Sequence, residues 1–136
     1  MFVTTEQLPF HKLLEVLGGA LAAFGASRLP DLFDPPISPN HRDIAHAIVP
    51  VGIAVAACRD YVPKSQIQLR SYADSLAAQR AMSHSMSDFE YVTTIVIEVL
   101  CRLLTGALIG APAGYLSHLA LDAFTARGLP LVTAGL

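Results

Sequence analysis

Four of the five histidines lie beside an aspartate or another histidine at a spacing that could build a metal site. His118 and Asp122 are four residues apart, so on a helix both side chains leave the same face and can reach one ion. The segment around them is strongly apolar. A carboxylate is costly to bury there without a partner, and a bound cation would remove that cost. A plain His–Asp contact on a helix surface is the alternative interpretation.

A second candidate group lies in the sequence His-Arg-Asp-Ile-Ala-His, which begins at His41 and ends at His46. A spacing of five places these two side chains about 140° apart on an ideal helix. They can share a site only if His41 lies in the cap or in the preceding loop. Arg42 is a candidate to hold a phosphate through two hydrogen bonds, and a solvated arginine is the alternative.

Two carboxylates, Asp31 and Asp34, lie in a proline-rich stretch that we expect to form a stiff loop over residues 29–40. Carboxylates three residues apart in such a turn can bind a hard or borderline cation, although aspartate also caps turns. His11 is expected in the first turn of the first helix. His84 lies in a serine-rich loop, and we assign it no role.

The elements that would position these residues are predicted to be helices. Apolar residues recur at helical spacing, and prolines and glycines mark the ends. The β-branched run at 92–97 is assigned to a helix because Glu98 and Arg102 are four residues apart and the apolar run is too long for one strand. We expect one domain, 1–136, that forms a compact all-α bundle of five helices. The predicted helices cover residues 10–26, 40–58, 64–82, 88–109 and 114–125, with Asp88 as the cap of the fourth.

The composition favours a membrane protein or an oligomer. Hydrophobic residues make up 53% of the 136 residues, charged residues only 15%, and the net charge is −2. Residues 103–121 carry no formal charge, and a membrane span needs about 20 such residues. Buried core helices of a soluble bundle are the alternative. The polar residues 64–82 are expected outside any bilayer. No basic cluster supports nucleic-acid binding.

Two cysteines, Cys58 and Cys101, lie in apolar stretches without a Cys-x-x-Cys partner, so we expect two free thiols in a reducing compartment. The N-terminus shows no pattern of a signal peptide. We expect the chain to associate with a membrane and to form a homo-oligomer.

Taken together, four motifs resemble the YdjM-like inner-membrane metal-dependent hydrolases, a family distantly similar to zinc-dependent phospholipase C. The resemblance covers the chain except residues 60–90, and its motifs follow one another in the family's order. They are His11 before Leu13-Leu14, Leu29-Pro30-Asp31 followed by Asp34-Pro35, His41-Arg42-Asp43-Ile44-Ala45-His46, and Gly114-Tyr115-Leu116-Ser117-His118 followed by Asp122, Thr125, Gly128 and Pro130.

The resemblance implies a metal site for Zn²⁺ or another divalent ion, with a ligand set drawn from the four motifs. The implied ligands are His11, Asp31, Asp34, His41, His46, His118 and Asp122. It also implies an inner (cytoplasmic) membrane location, with the cytoplasmic side of the membrane as the alternative. The chain departs from the family pattern at Asp43, Ala45 and Ala47, and Asp34 replaces a glutamate of some members. The missing hydroxyl at Ala47 removes a hydrogen bond that could orient a ligand.

We therefore expect a metal-dependent hydrolase that acts on a phosphodiester or phospholipid through a metal-activated water. Arg42 would hold a phosphate oxygen, and Asp34 or Asp43 would act as general base. The substrate class, a lipid or a small phosphate-containing molecule, is suggested only by the distant relatives. The alternative is a non-catalytic membrane or assembly module with a structural metal site, which the changes at Asp43, Ala45 and Ala47 favour.

Overall fold

A computed structural model describes residues 8–33, 48–83 and 85–124 of the chain. Across these ranges all regular structure is helical, and no strand occurs, which confirms the predicted all-α class. The helices are α1 (Pro9–Ala26), α2 (Leu29–Phe33), α3 (Ile48–Met82) and α4 (Asp88–Ala123). The β-branched run at 92–97 lies inside α4, as expected.

The predicted division into five helices is wrong for the described part of the chain, which has three long helices and one short one. Pro63 lies inside α3 and Pro112 inside α4, and neither ends its helix. A proline removes one hydrogen bond and strains one turn, but neighbouring contacts can hold the helix together. Gly110 and Gly114, taken as helix breakers, pack against α1 instead.

The expectation of a loop without helix is also wrong at Leu29–Phe33, which forms α2. Pro30 lies in the first turn of this helix, where the missing N–H needs no partner. Its side chain is fully buried, and the amide of Leu32 donates to the carbonyl of Arg28 at 3.1 Å. The remaining residues of the predicted loop, 34–40, lie outside the described ranges.

Helix α4 begins with a complete capping box, in which Ser87 rather than Asp88 is the N-cap. The Ser87 hydroxyl accepts a hydrogen bond from the amide of Glu90, and the Ser87 amide donates to the Glu90 carboxylate at 3.1 Å. Such a reciprocal pair satisfies two amides at the helix start that have no partner within the helix. Asp88 occupies the first helical turn, where its negative charge interacts favourably with the helix dipole.

Helix α4 is the central element, and both α1 and α3 pack against it. His11 lies beside Glu98 and Ala23 beside Gly114, so α1 and α4 run parallel. Helix α3 runs antiparallel to α4. Three contacts define this pairing, which are Arg80 with Glu98, Asp74 with Arg102, and Gln66 with the carbonyl of Thr105.

The contact between α1 and α4 depends on small residues spaced one turn apart. A Cβ atom built on Gly106, Gly110 or Gly114 would overlap the backbone of α1 at Glu15, Gly19 or Ala23. Gly18 meets the backbone of Leu103 in the same way. Such close approach of two backbones is the packing mode that membrane helices use when small residues recur every fourth position.

The larger apolar side chains of α1 and α4 face outward. Leu21 is 70% exposed, Phe24 62%, Val96 50% and Leu104 54%. The apolar stripe of α1 that includes Leu21 and Phe24 therefore does not form the contact with α4. An apolar surface of this extent is unusual for a soluble monomer and suits a lipid environment.

Candidate functional site

Three of the predicted metal ligands meet at the end of α4. His118 and Asp122 lie one turn apart on α4, and Asp31 reaches them from α2. Nε2 of His118 lies 3.4 Å from Oδ2 of Asp122 and 3.5 Å from Oδ1 of Asp31. Asp122 is mostly buried at 16% side-chain exposure, whereas Asp31 is 57% exposed. We call these three residues the His118 cluster.

Histidine and aspartate, the residue types of the His118 cluster, are donors that divalent metal ions bind. In a tetrahedral site with bonds of about 2.0–2.2 Å, neighbouring donor atoms lie about 3.3–3.6 Å apart. Both distances from His118 fall in this interval and exceed the usual length of an N–H···O hydrogen bond, about 2.7–3.2 Å. Within residues 8–33, 48–83 and 85–124, however, no group of three or more His, Cys, Asp or Glu is arranged so that it could hold a metal ion. The His118 cluster therefore supplies at most part of a metal site.

The other predicted site residues fall into two groups. One group lies outside the described residues and comprises Asp34, His41, Arg42, Asp43 and His46. His84, to which no role was assigned, also lies outside them. The second is His11, which the structure does not bring to the His118 cluster. Its Nε2 lies 3.3 Å from Oε1 of Glu98. Because twenty residues of α4 separate Glu98 from His118, His11 lies about 30 Å from the cluster along the helix.

The contact of His11 belongs to a buried network of charged side chains that joins three helices. Glu98 is at its centre and is 6% exposed. Its carboxylate accepts hydrogen bonds from Arg102 at 3.1 Å and 3.2 Å and from Arg80. Arg102 is fully buried and also donates to Asp74 at 2.7 Å. The carboxylates of Glu98 and Asp74 thus face the guanidinium groups of Arg102 and Arg80, in a network that is buried at Glu98 and Arg102 and exposed at Asp74.

Sequence reasoning used Glu98 and Arg102 only to support a helix and did not assign them to a site. A pattern that could have identified them was available, because charged residues inside an apolar helix that could cross a membrane are often functional. Their partners could not be inferred in this way. Asp74 and Arg80 lie on α3 and His11 on α1, and only the packing of the helices brings these groups together.

A second interhelical ion pair joins α1 to α3. Arg70 donates from Nη2 to Glu15 at 2.6 Å and from Nε at 3.0 Å, in the two-pronged geometry that suits guanidinium and carboxylate. The hydrogen bond to Glu15 raises the pKa of Arg70 above its usual value, although partial burial acts in the opposite direction. Arg70 therefore remains charged at any pH that the protein experiences.

Two stretches of the described chain are long and apolar enough to cross a membrane, Pro9–Leu32 and Asp88–Asp122. Only 17% and 28% of their most apolar windows are buried within the structure. With their outward-facing apolar side chains and the small-residue contact between them, they define a small helical membrane protein with polar clusters near both ends of its central helix.

The chain belongs to the YdjM inner membrane protein family, which matches residues 2–133. It is accordingly an inner-membrane protein, as the sequence predicted. No curated protein and no solved structure matches the chain.

Proposed function

We propose that the protein is a membrane-bound, metal-dependent hydrolase whose metal site includes His118, Asp122 and Asp31. The observation that supports this proposal is the convergence of two carboxylates, from α2 and from α4, on one imidazole nitrogen at donor-to-donor distances suited to a shared cation. Ligands from residues 34–46 would complete the site. The metal would supply an activated water near neutral pH, and the substrate class is a phosphodiester.

Helix α4 is about 54 Å long, whereas the hydrocarbon core of a bilayer is about 30 Å thick, so part of α4 must lie outside it. Its charged residues before Asp122 all lie in the first half, at Asp88, Glu90, Glu98 and Arg102. We therefore place this half, with the polar half of α3 that pairs with it, on one side of the membrane. Asp122 lies twenty residues beyond Arg102, about 30 Å away, which places the His118 cluster near the opposite membrane surface.

The test is the hydrolysis of bis(p-nitrophenyl) phosphate by the detergent-solubilised protein loaded with Zn²⁺. We expect release of p-nitrophenolate that stops on chelation and is lost in His118→Ala and Asp122→Asn. Asp88→Asn, on the same helix but outside the His118 cluster, should keep the wild-type rate. An inactive metal-loaded wild type, or equal rates in wild type and His118→Ala, would reject the hydrolase.

The second candidate function is a non-catalytic membrane module with a structural metal. The network around Glu98 favours it, because this polar cluster holds α1, α3 and α4 together. Both oxygens of the Glu98 carboxylate are engaged in these contacts and are not available for catalysis. A protein that binds metal in full and never hydrolyses the phosphodiester would support this module over the enzyme.

A further inference from the structure

A groove runs between α1 and α3, with α4 as its floor. Its volume is about 700 Å³, within the range of sites that hold small molecules. Gly106 and Gly110 form the floor, and Gly19, Ala20 and Ala23 form the wall on α1. Because these residues carry at most a methyl group, they leave an open space, and Val16, Gln66 and Ile109 line the rest of it.

One end of the groove is charged. Lys12, Glu15 and Arg70 line it. Glu15 and Arg70 neutralise one another in their ion pair, and the Glu15 side chain is only 12% exposed. Lys12 is exposed and adds one positive charge. This end therefore carries a net charge of about +1, complementary to a singly charged phosphate group.

The dimensions of the groove match one leaflet of a membrane. Eleven residues of α1 separate Lys12 from Ala23, which is about 16 Å along the helix. Half of the hydrocarbon thickness of a bilayer is about 15 Å. Gly18, between these two residues, contacts Leu103, where the uncharged run of α4 begins. The charged end therefore lies at the level of lipid headgroups and the apolar part at the level of one acyl chain.

We propose that this groove binds one acyl chain of an anionic phospholipid, with the phosphate held at Lys12 and Arg70. The site is separate from the His118 cluster, because none of the residues that line the groove belongs to that cluster. The proposal depends on the inner-membrane location and on the groove, and not on the hydrolase. Loss of lipid binding and loss of metal can therefore be observed independently.

The first test fills the groove. The full-length protein in detergent is mixed with equal amounts of phosphatidylglycerol and phosphatidylcholine, and bound lipid is measured by native mass spectrometry. Ala20→Leu places a larger side chain in the groove without disturbing the glycine contacts of α1 with α4, since Ala20 is exposed. We expect it to reduce retention of both lipids at least about fivefold. Ala113→Leu, exposed on α4 and outside the groove, should retain lipid like the wild type.

The second test removes the charge. Lys12→Gln should lower retention of phosphatidylglycerol about fivefold and leave phosphatidylcholine unchanged, because one cationic side chain near a membrane surface has about this effect. Lys64→Gln, exposed and outside the groove, is the control. A large excess of inorganic phosphate should not displace the lipid. Three results would overturn the proposal: equal retention by Ala20→Leu and Ala113→Leu, displacement by inorganic phosphate, or an Ala20→Leu effect on dimer formation without any effect on lipid.

Discussion

Oδ1 of Asp31 lies 3.5 Å from Nε2 of His118, and this contact joins the short helix α2 to the end of α4. Asp122 approaches the same nitrogen from α4. Such a pair of carboxylates around one imidazole nitrogen is compatible with a shared cation, as the proposed metal site requires. We favour the cation because both distances are longer than ordinary hydrogen bonds.

Metal removal should therefore destabilise the fold. Metal that binds the folded state adds to the free energy of unfolding, by about 3 kcal/mol at a hundredfold excess over the dissociation constant. In detergent, a chelator should lower the Tm of the wild type and have no further effect on His118→Ala, which should melt low from the start. His84→Ala should melt like the wild type with and without chelator. A chelator effect of equal size in wild type and His118→Ala would contradict this prediction.

The buried network predicts a large penalty for Arg102→Met. Removal of this fully buried guanidinium leaves the buried Glu98 carboxylate with one cationic partner fewer, and an uncompensated buried charge lowers the stability of the fold. Breaking a buried pair from one side typically costs about 3–5 kcal/mol. We expect a loss of that size in chemical unfolding. Arg59→Met, at an exposed position of α3, should change stability by less than about 0.5 kcal/mol. Similar losses in both variants would show that the network adds little.

The glycine contact predicts opposite signs for two chemically identical substitutions. At Gly106 a methyl group would collide with the backbone of Glu15, so Gly106→Ala should lower the free energy of unfolding by about 1–3 kcal/mol. At Gly52, inside α3, an added Cβ meets nothing within 4 Å. Gly52→Ala should therefore stabilise the protein by about 0.5–1 kcal/mol through helix propensity. Thermal unfolding of both variants is the measurement, and a stabilising Gly106→Ala would contradict the close packing.

The capping box at the start of α4 predicts a smaller effect. Ser87→Ala removes the hydroxyl that accepts from the amide of Glu90 and should cost about 1 kcal/mol. Ser85 is exposed just before the helix and makes no such contact with the helix start, so Ser85→Ala should leave the free energy of unfolding unchanged. If both variants unfold at the same denaturant concentration, the cap does not contribute.

The sequence predicted which regions are helical but did not predict how long the helices are. Apolar periodicity was enough to predict an all-α fold, although the N-cap of α4 is Ser87 and not the predicted Asp88. One predicted helix ended at residue 58 and another at residue 109, because local preferences disfavour helix at proline and glycine, as around Pro112. The contacts of Gly110 and Gly114 with α1 explain why glycine is present, and such contacts come only from tertiary packing.

The candidate site was predictable where the residues share a helix or a motif. The four-residue spacing of His118 and Asp122 placed both on one face, and the family resemblance added Asp31. His11 was assigned to the same site by resemblance, yet it contacts Glu98 near the other end of α4. No spacing in the sequence could show this, because the parallel packing of α1 on α4 fixes which residues meet.

Elemental analysis of the purified protein tests the central claim most directly. Wild type, His118→Ala and His84→Ala would be purified in the same detergent, and their zinc and other divalent metals measured per chain. A metal site that includes His118 predicts metal in wild type and His84→Ala and its loss in His118→Ala. Full metal content in His118→Ala, or no metal in the wild type after incubation with Zn²⁺, would show that the His118 cluster is an ordinary ion pair.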